Sequence, residues 1–393
     1  MPATRSLTAS QRDWLRVRSY LQEHRYDLAV DAAGDYPADR RVAGTPLLAA
    51  PGWQPAEPVP LAAVGLELTP AEVTPPPTAS PAASPALAAL GGAAAALLPE
   101  RPDGTRYHRY SDVLRDLAAP AVFENRVTYR LTETVLISGL SSGLSSGLTP
   151  GASRLAFTRG RYFDGVDTGE AAAHEYAATR LGGRPAGLRA LIADPCDLRR
   201  RPANLAISTL TLRLDRATGR ASFLLHWRDP AKVGHAGGLY QVIPVGVFQP
   251  SGEDGSNEHQ DFSLWRCMIR EFAEELGGRS EDYGPGPVDY DSWPFARSMA
   301  DAVDRGQIRV WCLGLGTDPL TYATDLLTVA VIDSGVFDKL FSLSPRSNAE
   351  GSVLAAQEFA AHVIDRVVTS EPVQAAGAAV LRLAWRHRET LTS

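Results

Sequence analysis

The apolar residues of this chain recur at two spacings, and the switches between them mark its elements. Near the N-terminus Trp14, Val17 and Leu21 stand three or four apart among charged residues, which predicts an amphipathic helix over about residues 8–32. Helical spacing returns over 111–117, and the alternation of Val127, Tyr129 and Leu131 predicts a strand over 126–137 with one buried face. A further helix is expected between a cap at Asp167 or Thr168 and a stop at Gly182 and Gly183. His174 and Glu175 on it are candidate ligands, but adjacent helical residues point to different faces, so a solvated face is the expectation.

The second half is richer in strands. Alternating runs over 207–214 and 221–227 flank a turn at 215–219 and predict a hairpin. The apolar run 239–248 reads as a strand feeding a glycine-containing loop. Next comes a helix that opens at Asp261 or Ser263 and stops at Gly277 and Gly278, with Trp265, Ile269, Phe272 and Leu276 forming one apolar stripe. A helix over 296–304, strands over 308–315 and 326–332, and helices over 353–368 and 372–387 complete an α/β class of chain.

Composition changes this picture in two places. Between 51 and 104 the chain is rich in Pro, Ala, Thr and Ser, which predicts a linker or surface excursion with a short helix at 88–98, and the Gly-Leu-Ser-Ser repeat over 139–151 reads as a loop. The expected organisation is therefore a helical segment at 1–50, a linker at 51–104, an α+β extension at 105–201 and a folded domain at 202–393. The formal net charge of −6 argues against nucleic acid or an acidic membrane surface as partner. Arg12, Arg16, Arg18 and Arg25 would be the DNA contacts of an N-terminal helix-turn-helix, but no recognition helix follows them. Cys196, Cys267 and Cys312 are isolated, so neither a disulfide framework nor a cysteine zinc site is indicated and a reducing cytoplasm fits.

The chemistry concentrates on the helix after the glycine loop. Glu271 is three and four residues from Glu274 and Glu275, so the three carboxylates share one helix surface and repel unless a cation sits among them. Arg199, Arg200 and Arg201, with Arg228 behind them, are candidate phosphate contacts, because guanidinium groups bind phosphate oxygens in pairs.

The run Arg270-Glu271-Phe272-Ala273-Glu274-Glu275-Leu276-Gly277 resembles the signature of the Nudix hydrolase superfamily: Gly, five residues, Glu, seven residues, then Arg-Glu-apolar-x-Glu-Glu-x-Gly-apolar. Gly246 looks like its opening glycine. The resemblance covers about 202–393 and implies an α/β/α sandwich with a mixed sheet, carrying helices and a Pro/Ala-rich linker in front of it. It also implies Mg²⁺ or Mn²⁺ held by Glu271, Glu274 and Glu275, and an arginine, Arg270, that orients a carboxylate. A small phosphorylated substrate is expected, and a homodimer is in keeping with the family. Glu350 stands where many members place an assisting acid. The chain departs from the signature at Phe262, which occupies the place of the first glutamate, and at 250–260, which reads as an insertion. Glu253, Glu258 and Asp261 are the acids able to replace the lost one. Two functions follow: a metal-dependent hydrolase of a diphosphate-linked substrate, often a nucleoside, or a Nudix-like ligand-sensing protein that has lost hydrolysis.

Overall fold

In the computed structural model, which describes residues 7–69, 91–120, 123–137, 153–183, 185–228, 237–252, 257–279, 287–341 and 351–393, the core is built on strand β11 (Thr324–Asp333). It is buried from Thr324 to Ile332, and since alternate strand residues point to opposite faces, the sheet is covered on both sides. β11 pairs antiparallel with β10 (Ile308–Thr317) and parallel with β5 (Leu205–Asp215). The full order is β1 (Val59–Pro60), β10, β11, β5, β6 (Arg220–Phe223) and β13 (Gln357–Glu358), with β9 (Val245–Val247) also on β5. A second sheet joins β12 (Gly351–Val353), β7 (Leu225–Arg228) and β8 (Tyr240–Val242), and a third joins β2 (Gly65–Leu68), β4 (Arg154–Arg161) and β3 (Val127–Val135).

Helices complete the layers. In the Ala375–Arg386 helix a run of alanines and Gly377 is buried, and these small side chains let its backbone lie close against β5, β10 and β11. The Leu264–Glu271, Pro294–Asp304 and Ser334–Phe341 helices meet through aromatic rings, with Phe341 stacked on Phe272 at 5.8 Å and on edge to Phe295 at 6.1 Å. The architecture is thus mixed α/β with a helix-covered mixed sheet, in keeping with a Nudix-like sandwich. Among the described residues no helix is long and apolar enough to cross a membrane.

Several elements differ from their sequence expectation. The strand expected over 239–248 is two strands, β8 and β9, with a cis Ile243–Pro244 bond between them. β6 and β7, expected as one arm of a hairpin, enter different sheets. Residues 353–360 are not helical: β12 and β13 precede a shorter Ala361–Ser370 helix. The described flanks of the Pro/Ala-rich stretch are built into the fold, with β1 on β10, β2 on β4, and Trp53, Leu61 and Leu98 buried, while residues 70–90 and the repeat at 139–151 lie outside the described residues.

The N-terminal helix is two helices, Ala9–Glu23 and Arg25–Ala33, parted at His24, and the first is capped by Thr8, whose side chain accepts from the Gln11 amide at 3.1 Å. Two of its arginines, Arg18 and Arg25, are inside the protein rather than on a solvated face. Arg25 donates to both carboxylate oxygens of Glu170, each at 3.1 Å, and Arg18 donates to the same carboxylate. Glu170 ends a π-helical turn, Val166–Glu170, that leads into the Ala171–Arg180 helix; Asp167 accepts from the Ser111 amide at 2.7 Å instead of capping its own helix. The solvated face expected at His174 and Glu175 is corrected too, because both are buried. Glu175 accepts from the Gly187 and Arg189 amides at 2.6 and 2.8 Å, and His174 stacks on Trp14 at 5.1 Å with Nδ1 3.2 Å from the Tyr110 hydroxyl.

These buried groups have measurable consequences. Glu170→Gln removes the carboxylate charge on which Arg18 and Arg25 converge and should cost about 3–5 kcal/mol in urea unfolding. Burial, then the Arg18 charge, pushes the His174 pKa from 6.5 down to about 3. An unfolded chain therefore takes up this proton near 6.5 while the folded one does not, so the stability tied to His174 is complete above about 6.5 and is lost as pH falls toward 3. Between pH 6.5 and about 5, where carboxylates titrate little, the melting temperature of His174→Gln should fall less steeply than that of the unaltered chain.

Candidate metal-binding and hydrolytic site

Ser263 opens the acidic helix, its side chain accepting from the Arg266 amide at 3.3 Å. The α-helix Leu264–Glu271 then widens into a π-helical turn, Phe272–Leu276. The buried set is Leu264, Cys267, Met268, Ile269, Arg270, Phe272, Ala273, Glu275 and Leu276, and Trp265, expected in the apolar stripe, is only half-buried. Gly277 closes the turn where a Cβ would lie 2.5 Å from the Ala273 carbonyl oxygen, and Gly278 follows with φ of 67°. This is the physical content of the double glycine.

Opposite the helix runs β9, and here the glycine loop and the acids meet. A Cβ on Gly246 would lie 1.9 Å from Cδ and Oε1 of Glu271, so the Glu271 carboxylate rests directly on a backbone that only glycine leaves open. One residue earlier, the Val245 amide donates to Oε1 of Glu275 at 3.1 Å. Glu275 is buried, whereas Glu271 and Glu274 are half-buried. Carboxylate oxygens are the donors that Mg²⁺ and Mn²⁺ take, so the chemistry of the set fits such a cation. Its arrangement does not gather: among the described residues no group of three His, Cys, Asp or Glu side chains is disposed to hold a metal ion.

Arg270 is buried in the protein. Its Nη1 donates to the Tyr290 hydroxyl at 2.5 Å and lies 3.1 Å from Oδ1 of Asp261, and Nη2 donates to the Gln249 carbonyl at 2.6 Å. Burial works against the guanidinium charge, but Cys267, Tyr290 and Asp261 together more than offset it and hold the pKa above its ordinary value. Asp261, fully buried, also accepts from the Ser251 amide and hydroxyl through Oδ2 at 2.7 and 2.6 Å. Of the loop acids, Asp261 is thus the one that meets Arg270. Glu258 lies 3.7 Å from Arg159, and Glu253 falls outside the described residues. Phe262 sits among aromatic rings, 5.0 Å from Tyr129 and 5.7 Å from Phe248. Sequence reading did not single out Tyr290; its only signal is an aromatic residue in a Gly-, Pro- and Asp-rich loop.

The arginines are not brought together as one patch. Arg201 is buried and donates to the Pro195 and Pro202 carbonyls at 2.7 and 3.1 Å and to the Thr317 and Thr324 hydroxyls at 3.2 and 2.8 Å; burial pulls its pKa down to about 10. Arg199 and Arg200 are exposed, the former paired with Asp197 at 2.9 Å. Arg228, on β7, is half-buried, 3.4 Å from the Gln241 side-chain oxygen. Glu350 lies outside the described residues.

No protein-family model matches this chain, and no curated protein matches it. Among solved structures it is similar to a NUDIX hydrolase from Alicyclobacillus acidocaldarius, with 18% identity and a TM-score of 0.29 over 48% of this chain and 95% of that one.

The seat of Glu271 on Gly246 can be tested directly. The obstacle to Gly246→Ala is the far end of a flexible side chain, so the substitution should cost only about 1 kcal/mol in thermal unfolding while pushing the carboxylate off the strand. Adding Glu271→Ala should return the melting temperature to that of the unaltered chain.

Proposed function

We propose that this chain is a Nudix-like hydrolase that cleaves a diphosphate-linked small molecule, a nucleoside derivative being the first class to test, with the help of Mg²⁺ or Mn²⁺. The observation that supports it most is the placement of Glu271 against Gly246, which joins the two halves of the signature in space. Glu271, Glu274 and Glu275 would hold the cation; when bound, it would neutralise phosphate oxygens and make an attacking water more acidic. The chain's own groups have simpler tasks. The Val245 amide orients Glu275, and Arg270, tied to Asp261 and Tyr290, braces the helix behind the acids. Arg199, Arg200 and Arg228 would be the phosphate contacts, with Arg201 holding the β10–β11 end in place. Residues 202–393 would form the catalytic half, with the preceding segments built onto it.

A second reading has its own support. Phe262 replaces the first acid of the signature and the described acids do not gather as a metal cage, both of which suit a protein that binds a phosphorylated ligand without cleaving it.

Nucleoside diphosphate and dinucleotide substrates, screened with and without Mg²⁺ by release of phosphate products, separate the two. A hydrolase should show metal-dependent turnover that Glu271→Gln or Glu275→Gln lowers by about a hundredfold or more, with an unchanged or slightly raised melting temperature as repulsion is relieved. Saturable ligand binding with no turnover would support the sensor, and turnover indifferent to both substitutions would remove the acidic helix from the chemistry.

A further inference from the structure

The segment 257–262 departs most from the family signature, and it is also where the N-terminal half of the chain touches the site. From β3 the Tyr129 hydroxyl donates to the Glu258 carbonyl at 2.6 Å, and from β4 Arg159 reaches the Glu258 carboxylate at 3.7 Å. Phe262 packs edge-on to Tyr129 and to Phe157, at 5.0 and 5.6 Å. Asp261 is therefore tied, before and after, to a sheet that the signature does not encode.

From the opposite flank comes Tyr290. Its hydroxyl donates to Oδ1 of Asp261 at 2.6 Å and accepts from Arg270 at 2.5 Å, so one oxygen serves both ends of a buried ion pair. Burial, with the Asp261 charge adding to it, holds the phenol pKa above its ordinary value, which keeps the proton on the oxygen that donates it. An aspartate in a loop is shorter than the expected glutamate, and ordering its backbone costs conformational entropy that the loop alone does not recover. The contacts from β3, β4 and Tyr290 supply that order.

We propose that the β2–β4–β3 sheet and Tyr290 together replace the missing glutamate: they hold Asp261 so that it fixes Arg270, and through Arg270 the helical turn bearing Glu271, Glu274 and Glu275. Tyr129, Asp261 and Tyr290 are then positioning residues, and the extension at 105–201 is part of the site. The inference rests on reading the three glutamates as a cation site.

Tyr129→Phe and Tyr290→Phe each remove one oxygen and keep the ring, and both are made in the full chain. Titration calorimetry with Mn²⁺ should show affinity lowered by about tenfold in each, the size usual for residues that orient metal ligands from behind. Asp261→Asn should lower it at least as much, and adding Tyr290→Phe to it should cost little more, because both act through one group. Amide hydrogen exchange over 264–271 should quicken in the two tyrosine variants. Leu21→Ala, in the core of the N-terminal helices, should lower the melting temperature and leave Mn²⁺ affinity unchanged. Should Asp261→Asn fail to fold, the tyrosine variants carry the test alone. An unaltered chain that binds Mn²⁺ while both tyrosine variants bind it equally well, with unchanged exchange, overturns the proposal and leaves the cation site standing. An unaltered chain that binds no Mn²⁺ removes the cation site, and equal exchange protection in all variants then removes the positioning role as well.

Discussion

A guanidinium taken out of water needs acceptors for its donors, and the site depends on how this chain answers Arg270 with a carboxylate. The residue is 3% exposed and sits in the middle of the acidic helix. Left alone there it would cost several kcal/mol, roughly enough to offset much of a domain's net stability. The answering group, Asp261, is itself fully buried and has every oxygen occupied, by Arg270 and Tyr290 on one side and by Ser251 on the other. Once that pair is set, the helix is held against Gln249 and Tyr290, while Glu271 and Glu275 lie against β9.

The N-terminal half follows the same rule. Arg18 and Arg25 converge on Glu170 at a π-helical turn, and Gly169 in that turn lies so close to the Thr321 carbonyl that a Cβ would be 2.1 Å from its oxygen. Thr321 belongs to the connection between β10 and β11. The two N-terminal helices are thus fastened to the far end of the main sheet by buried charge and close backbone contact, and a composition-based boundary near residue 50 does not reveal this.

What was legible in the sequence was local. Ser263 as a cap, Gly277 and Gly278 as a stop, the turn at 215–219 and the strands around 308–315 and 326–332 all rest on signals a few residues long, and each element is present within a few residues of its expected bounds. The alignment of Gly246 with Glu271 was suggested by a signature, and its physical reason, a carboxylate lying where a Cβ would be, is visible only in three dimensions. Illegible were features that depend on distant partners. His174 and Glu175 look like a surface pair until Trp14, Tyr110 and the Gly187 turn are placed around them. Phe262 looks like a defect until Tyr129, Phe157 and Phe248 surround it. The π-turn at 272–276 has no sequence signal in helical periodicity, and Trp265 stays half-buried where the stripe predicts burial.

We propose that the acids beside Gly246 form a cation site, and anomalous diffraction from crystals of the full chain grown with Mn²⁺ tests this most directly. A peak is expected within coordination distance of the Glu271 and Glu275 carboxylates, on the β9 side of the helix. Diffraction showing full occupancy of Mn²⁺ elsewhere, or no peak beside these carboxylates at saturating Mn²⁺, would contradict it.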